Sequence, residues 1–208
     1  MIPAVSRPCM LVLAILTVYL AGCASTPPSR FYLLNPLHPS GQDQTETSES
    51  GCISIGIGPV ELPRYLNRPQ IITRINENEL ELAEFNKWAE PLDENISSVL
   101  VENITGLLDC ESFDIYPWKG AMRTDYRVAI DIIRFDGSLS GNASLMVRWS
   151  IFHSQGRDLL TTKRSTYSEP VTDQSFKALV IAQEKMLAAL STDIAKEIRS
   201  IARPKQHE

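Results

Sequence analysis

The chain has 208 residues, 43% of them hydrophobic, and sets 25 acidic against 20 basic side chains for a net charge of −5. That length and apolar content suit one well-buried core, so a single folded domain is the default. The acidic balance, with no basic stripe interleaved with aromatics, excludes the electrostatics of a nucleic-acid binder.

The amino terminus reads in three parts. Residues 1–9 carry Arg7 and no acid, Met10 to Leu20 is almost wholly apolar, and small residues follow. The apolar run is 11 residues long, whereas a helix needs ~20 to cross a bilayer. The pattern is that of a secretory signal. Its exit, Leu20-Ala21-Gly22-Cys23, resembles the lipobox of bacterial lipoproteins, in which small residues let the peptidase approach the backbone closely. The resemblance implies that residues 1–22 are a signal peptide cut before Cys23. It also implies that Cys23 is the lipidation site, with two acyl chains on its thiol and one on the new amine. Cleavage removes one charged residue, Arg7, so the mature net charge becomes −6. Ala24 follows the cysteine where an Asp would favour retention in the inner membrane, which points to the outer membrane instead. Export leaves Cys52 and Cys110 as spare thiols in an oxidising compartment; a bridge between them and two separate buried thiols are both open. The Asn-x-Ser/Thr triplets at Asn95, Asn103 and Asn142 are chance in a bacterial chain.

Residues 24–30 hold two prolines and no large apolar side chain, a tether that spans at most ~25 Å. Phe31 to Leu34 offers enough apolar surface to dock as a short edge strand, and Asn35 to Gly51 reads as a mobile loop. Residues 23–51 are therefore lipidated cysteine, tether and loop, and residues 52–202 the folded body. Ile53, Ile55 and Ile57 alternate with small residues as a strand ended by Gly58-Pro59. Residues 70–75 and 79–84 form a hairpin. From Pro91 to Leu108 the period changes: Leu92, Ile96, Val99, Leu100, Ile104, Leu107 and Leu108 share one helical face, with Pro91 suited to the first turn. A short strand follows at 113–116, then a meander over 125–135, 144–152 and 159–167. In it Val128, Ile130 and Ile132 share a face, as do Leu145, Val147, Trp149 and Ile151. Residues 173–201 form a second amphipathic helix. The order predicts an α+β single domain, a mostly antiparallel sheet covered on one face by two helices.

A catalytic constellation does not emerge. His38, His153 and His207 have no metal-ligand spacing. Gly137 to Gly141 has Leu where a nucleophile elbow needs Ser, and Gly56-Ile57-Gly58 lacks the third glycine of a dinucleotide loop. Glu77, Glu79, Glu81 and Glu84 are the densest carboxylate run, but Glu79 and Glu81 alternate with Leu80 and Leu82 as on a half-solvated strand. Asp131, between Ile130 and Ile132, fits the open face of a sheet. The chain reads as a non-enzyme that needs no metal and no cofactor beyond the acyl chains on Cys23.

Several ordered stretches carry a resemblance: Phe31-Tyr32-Leu33-Leu34, Ile55-Gly56-Ile57-Gly58-Pro59-Val60, Leu62-Pro63-Arg64-Tyr65-Leu66, Arg68-Pro69-Gln70-Ile71, Trp88-Ala89-Glu90-Pro91-Leu92 and Asp125-Tyr126-Arg127-Val128. Together they resemble the ABC-type transport auxiliary lipoproteins from about residue 31 to residue 200. The resemblance implies a lipid-anchored protein on the periplasmic face of the outer membrane. There it would serve a periplasmic MCE-domain tunnel protein in moving lipid between membranes and so support envelope integrity. It transfers Cys23 as a site, transfers no catalytic residue, and leaves a homo-oligomer open. An assembly or structural lipoprotein without a transport role has the same physical features. The proline-bounded stretch Leu62 to Pro69 is the candidate partner contact, because Leu62, Tyr65 and Leu66 stand with Arg64 and Arg68 in a mix favoured at interfaces. The alternative is that its apolar residues fold back onto the core.

Overall fold

The computed structural model describes residues 27–37, 53–110, 112–118, 124–153 and 158–202. The leader, Cys23, Cys52 and residues 38–51 of the expected loop lie outside the described residues. In chain order the elements are β1 (Arg30–Tyr32), β2 (Ile55–Glu61), β3 (Gln70–Arg74), β4 (Leu80–Trp88), α1 (Leu92–Leu108), β5 (Phe113–Ile115), β6 (Tyr126–Gly137), β7 (Asn142–His153), β8 (Leu159–Pro170) and α2 (Phe176–Ala202).

The expected α+β domain with two helices is what forms, but its strands divide into two mixed sheets instead of one. A five-stranded sheet runs β5-β2-β6-β7-β8 and a three-stranded sheet runs β1-β4-β3. Connection length explains the mixture. Short turns join β6 to β7 and β3 to β4, and both pairs are antiparallel. A hairpin and α1 separate β2 from β5, which leaves room for the crossover that parallel pairing requires, and β2 runs parallel to both β5 and β6.

One face of the large sheet holds the core. Ile55 and Ile57 of β2, Val128, Ile130 and Ile132 of β6, and Leu145, Val147, Trp149 and Ile151 of β7 are all buried. They lie against Leu92, Ile96, Val99, Leu100 and Ile104 of α1 and Leu179, Met186, Leu187, Leu190, Ile194 and Ile198 of α2. The opposite face carries polar cross-strand pairs. Asp131 stands opposite Arg148 and accepts its hydrogen bond, and Ser150 meets Thr162 at 2.9 Å. Helix α2 starts at Phe176, three residues later than its pattern suggests, because Ser175 Oγ accepts the Ala178 N–H as an N-cap. Pro91 stands just before the first helical residue of α1, at the cap position. The folded unit includes the segment around β1 as well as the chain from residue 53, for Leu34 is 1% exposed within the core.

Candidate functional site

The proline-bounded loop joins β2 to β3 and folds tightly: the Leu66 N–H donates to the Pro63 carbonyl at 2.9 Å and the Arg68 N–H to the Leu66 carbonyl at 2.8 Å. That turn carries Leu66 into the core, where it is 3% exposed, and rests Leu62 and Tyr65 half-buried against it. Arg64 and Arg68 remain exposed. Of the five residues expected at a partner contact, the three apolar ones thus serve the core, as the alternative had it. Of the five, only the guanidinium groups of Arg64 and Arg68 stay fully at the surface.

Tyr65 leads to a group that period-2 reading of the sequence misses. Its hydroxyl donates to Asp136 Oδ2 at 3.1 Å. The Asp136 side chain is 0% exposed and also accepts Arg74 Nε at 3.0 Å, Arg74 Nη2 at 2.8 Å and Arg134 Nε at 2.8 Å. Burial by itself would raise the pKa of this carboxyl, but hydrogen bonds and charge from Arg74 and Arg134 outweigh burial and hold it below the ordinary carboxylate range. The Tyr65 hydroxyl is pushed up to about 12, by burial first and then by the neighbouring Asp136 charge. With two donors on each oxygen, the carboxylate is saturated and is no general base. It fastens β3 of the small sheet and the loop to β6 of the large sheet.

The cause of the oversight is a bulge. The register of β6 against β7 shifts between Ile132 and Arg134. Inward positions are even up to Ile132, and past the bulge Phe135, Asp136 and Gly137 are all buried. The signal available was Arg-Phe-Asp at the end of an apolar strand.

A second polar fastening holds the chain just after the tether. Tyr32 donates to Asn86 at 2.9 Å and its ring lies 6.3 Å from that of Phe176. Both backbone groups of Leu34 are paired with the Asn95 side chain of α1, its N–H at 2.8 Å and its carbonyl at 3.2 Å. The backbone N–H of Asn35 donates to Glu184 of α2 at 2.9 Å. Asn95 is therefore a side chain with a structural task, set aside in the sequence because it begins a glycosylation-like triplet.

Cys110 is buried and disulfide-bonded. Cys52 lies outside the described residues, so its partnership with Cys110 stays an expectation. Cys23 likewise lies outside the described residues. Among the described residues no group of three His, Cys, Asp or Glu side chains could hold a metal ion, and no helix is long and apolar enough to cross a membrane. Glu77, Glu79, Glu81 and Glu84 are all exposed. Leu82 beside them is also exposed, so β4 departs here from the simple alternation of a half-buried strand.

The model of the family described as ABC-type transport auxiliary lipoprotein component matches residues 32–195. The chain is 25% identical over 188 residues to the intermembrane transport lipoprotein PqiC of Escherichia coli strain K12, covering 90% of this chain and 96% of that protein. The Shigella flexneri protein of the same name gives the same figures. Two solved structures share the fold. One, an uncharacterized protein, has a TM-score of 0.67 at 18% identity and covers 83% of this chain and 99% of its own. The other, from Xanthomonas campestris, has a TM-score of 0.63 at 19% identity and covers 80% and 93%.

Proposed function

The chain belongs to the family of ABC-type transport auxiliary lipoprotein components, and from that premise we propose that it is a non-catalytic part of an intermembrane lipid transport system. In this reading Cys23 carries the acyl anchor, the membrane is the outer one, and the domain holds or caps a periplasmic MCE-domain tunnel protein. The observation that carries it is the family match over residues 32–195, most of the folded unit, behind a lipobox-like leader.

The architecture supports a holding role. Three acyl chains resist release, since one myristoyl chain already gives a membrane affinity of ~10⁴ M⁻¹ and each further buried CH₂ adds ~0.8 kcal/mol. The saturated Asp136 cluster offers rigidity where an enzyme would offer a poised base. The test is cross-linking in intact cells followed by capture of the chain. An inner-membrane tunnel protein among the captured partners supports the proposal, and recovery of cell-wall proteins alone overturns it. Palmitate labelling should mark the wild type and miss Cys23→Ala. Fractionation that found the wild type in the inner membrane would refute the outer-membrane part.

A further inference from the structure

The segment that leaves the tether turns its apolar side chains two ways. Tyr32 and Leu34 point into the domain, while Phe31 is 65% exposed, Leu33 43% and Leu37 38%. Alternation along an extended chain puts the odd positions on one side, so Phe31, Leu33 and Leu37 make an apolar ridge along the outside of the domain. The ridge lies at the edge of the small sheet, whose order ends on β1. It is held there by Asn95 and Glu184, which pair with the backbone of Leu34 and Asn35 and leave the outward side chains uncovered.

Two features say what covers this ridge. The first is reach. Arg30 begins β1 and lies seven residues after Cys23, so an acylated Cys23 keeps the start of the ridge within roughly 25–30 Å of the bilayer. A surface tethered that closely meets lipid at an effective concentration on the order of millimolar, and needs only weak affinity of its own. The second is charge. Lys87 stands opposite Phe31 in the parallel register of β1 and β4, on the same face, and the exposed Arg30, which alternation turns to the other side, adds a second cation where the strand begins. The carboxylate of Glu184 is already occupied by the Asn35 amides, and Glu90 is the exposed acid that follows β4. Apolar side chains flanked by cations suit the boundary between acyl chains and anionic phosphates.

We propose that Phe31, Leu33 and Leu37 form a second membrane contact, set against the leaflet that holds the anchor and fixing how the domain faces away from it. The acyl chains retain the protein, and the ridge orients it. This inference rests on Cys23 being the anchor point, but its test does not.

The experiment uses the mature chain with Cys23→Ser, so that no acyl chain contributes, and vesicles of phosphatidylethanolamine and phosphatidylglycerol. Co-sedimentation should show binding that weakens with salt. Phe31→Ser, Leu33→Ser and Leu37→Ser together should lower it about tenfold, the scale of losing ~1.4 kcal/mol of apolar transfer, with the melting temperature unchanged. Phe31→Trp should blue-shift on adding vesicles and be quenched by brominated lipid. Equal binding by the triple variant, or a Trp that stays open to aqueous iodide, overturns the proposal. Loss of self-association in the triple variant at unchanged vesicle binding also overturns it, by assigning the ridge to a second copy. Failure to label Cys23 with palmitate in cells would instead sink the anchoring reading, whatever the vesicles show.

Discussion

The two sheets of this domain are held together by different physics. The five-stranded sheet is fixed by apolar burial: β2, β6 and β7 send Ile, Val, Leu and Trp into one layer with both helices. The three-stranded sheet shares part of that core through Leu34, Ile71, Ile72 and Trp88, and its place is set by polar fastenings. Asp136 receives Arg74, Asn95 holds Leu34, and Glu184 holds Asn35. Apolar burial is non-directional and tolerates sliding, whereas a saturated carboxylate or a bidentate amide accepts one geometry. The small sheet receives the chain that enters at Arg30, so a pull from the proposed anchor at Cys23 would arrive where directional bonds resist it.

The comparison is broken most directly at its extremes. Trp149→Ala removes a side chain 1% exposed in the large-sheet core, and should cost about 3–5 kcal/mol. Denaturant melts followed by far-UV signal should show the whole domain destabilised together. Asp136→Ala takes the shared acceptor away from Tyr65, Arg74 and Arg134. The two guanidinium groups keep partial access to water at 19% and 35% side-chain exposure, and losing hydrogen bonds to a charged group costs about 1.5–3 kcal/mol. Hydrogen exchange should place its early loss at β3 and the loop, before β6 and β7. If Asp136→Ala loosened both sheets equally, the division into apolar and polar attachment would be wrong.

How legible each region was follows from the same difference. The helices and the meander show in the sequence because burial imprints periods, 3.6 for α1 and 2 for β6 and β7. Their faces emerge as the pattern of Val128, Ile130 and Ile132 requires. In the second sheet the hairpin of β3 and β4 and the edge strand β1 were legible one by one, but their union into a separate sheet was not, because parallel pairing of β1 with β4 joins Phe31 to Lys87 across the chain and leaves no local signature. Asp136 was hidden by the bulge that moves it inward, and Asn95 because the polar residues that α1 buries, Asn95, Ser97 and Asn103, stand among apolar ones without a period of their own. Leu62 and Tyr65 could be assigned to core or to partner on composition alone, and the turn from Pro63 to Arg68 decides for the core.

A smaller effect is expected at Asn95. Replacing it by Ala strips both backbone partners from Leu34, a loss of about 1–3 kcal/mol for buried groups left unpaired. The core of the large sheet does not depend on that bond. Proteolysis should therefore cut near residues 30–37 much faster than in the wild type while the far-UV melt moves little. A melt that shifted as far as that of Trp149→Ala would show the segment to be integral to the main core.

The pH dependence reports on the same cluster. The Tyr65 hydroxyl has its folded pKa raised to about 12, against about 10 when unfolded. Its contribution is complete below pH 10 and is lost as pH rises towards 12, since the unfolded chain ionises first. For Asp136 the folded value is lowered, so its contribution is present above pH ~4 and is lost as pH falls below that, through the folded value. Tyr65→Phe should flatten the alkaline decline in melting temperature. Tyr167 is raised in the same direction, by burial and by its bond to Asp193 at 2.6 Å, so Tyr167→Phe should flatten it as well. An alkaline slope unchanged in both variants would show that neither hydroxyl carries it.

The smallest structural effect belongs to Arg64 and Arg68, the exposed arginines of the proposed partner contact. Arg64 and Arg68 make no ion pair among those of the described residues, which join Arg74 and Arg134 to Asp136, Arg148 to Asp131 and Lys163 to Glu197. Exposed charges without such a role shift stability by no more than about 0.5 kcal/mol. Arg64→Glu with Arg68→Glu should therefore leave the melting temperature within a few degrees of wild type, because Leu66 and Tyr65 still seat the loop. At a partner interface the same change would meet charges arranged for cations, where opposing like charges cost several kcal/mol. Capture of the tunnel protein should fall sharply in the doubly reversed variant and partly recover at high salt. A variant that captured its partner undiminished would move the contact away from this loop, leaving its arginines as solvated surface. A variant that lost stability instead would mean that the guanidinium stems help seal Leu66 into the core, and the polar attachment of the small sheet would extend to its outermost turn.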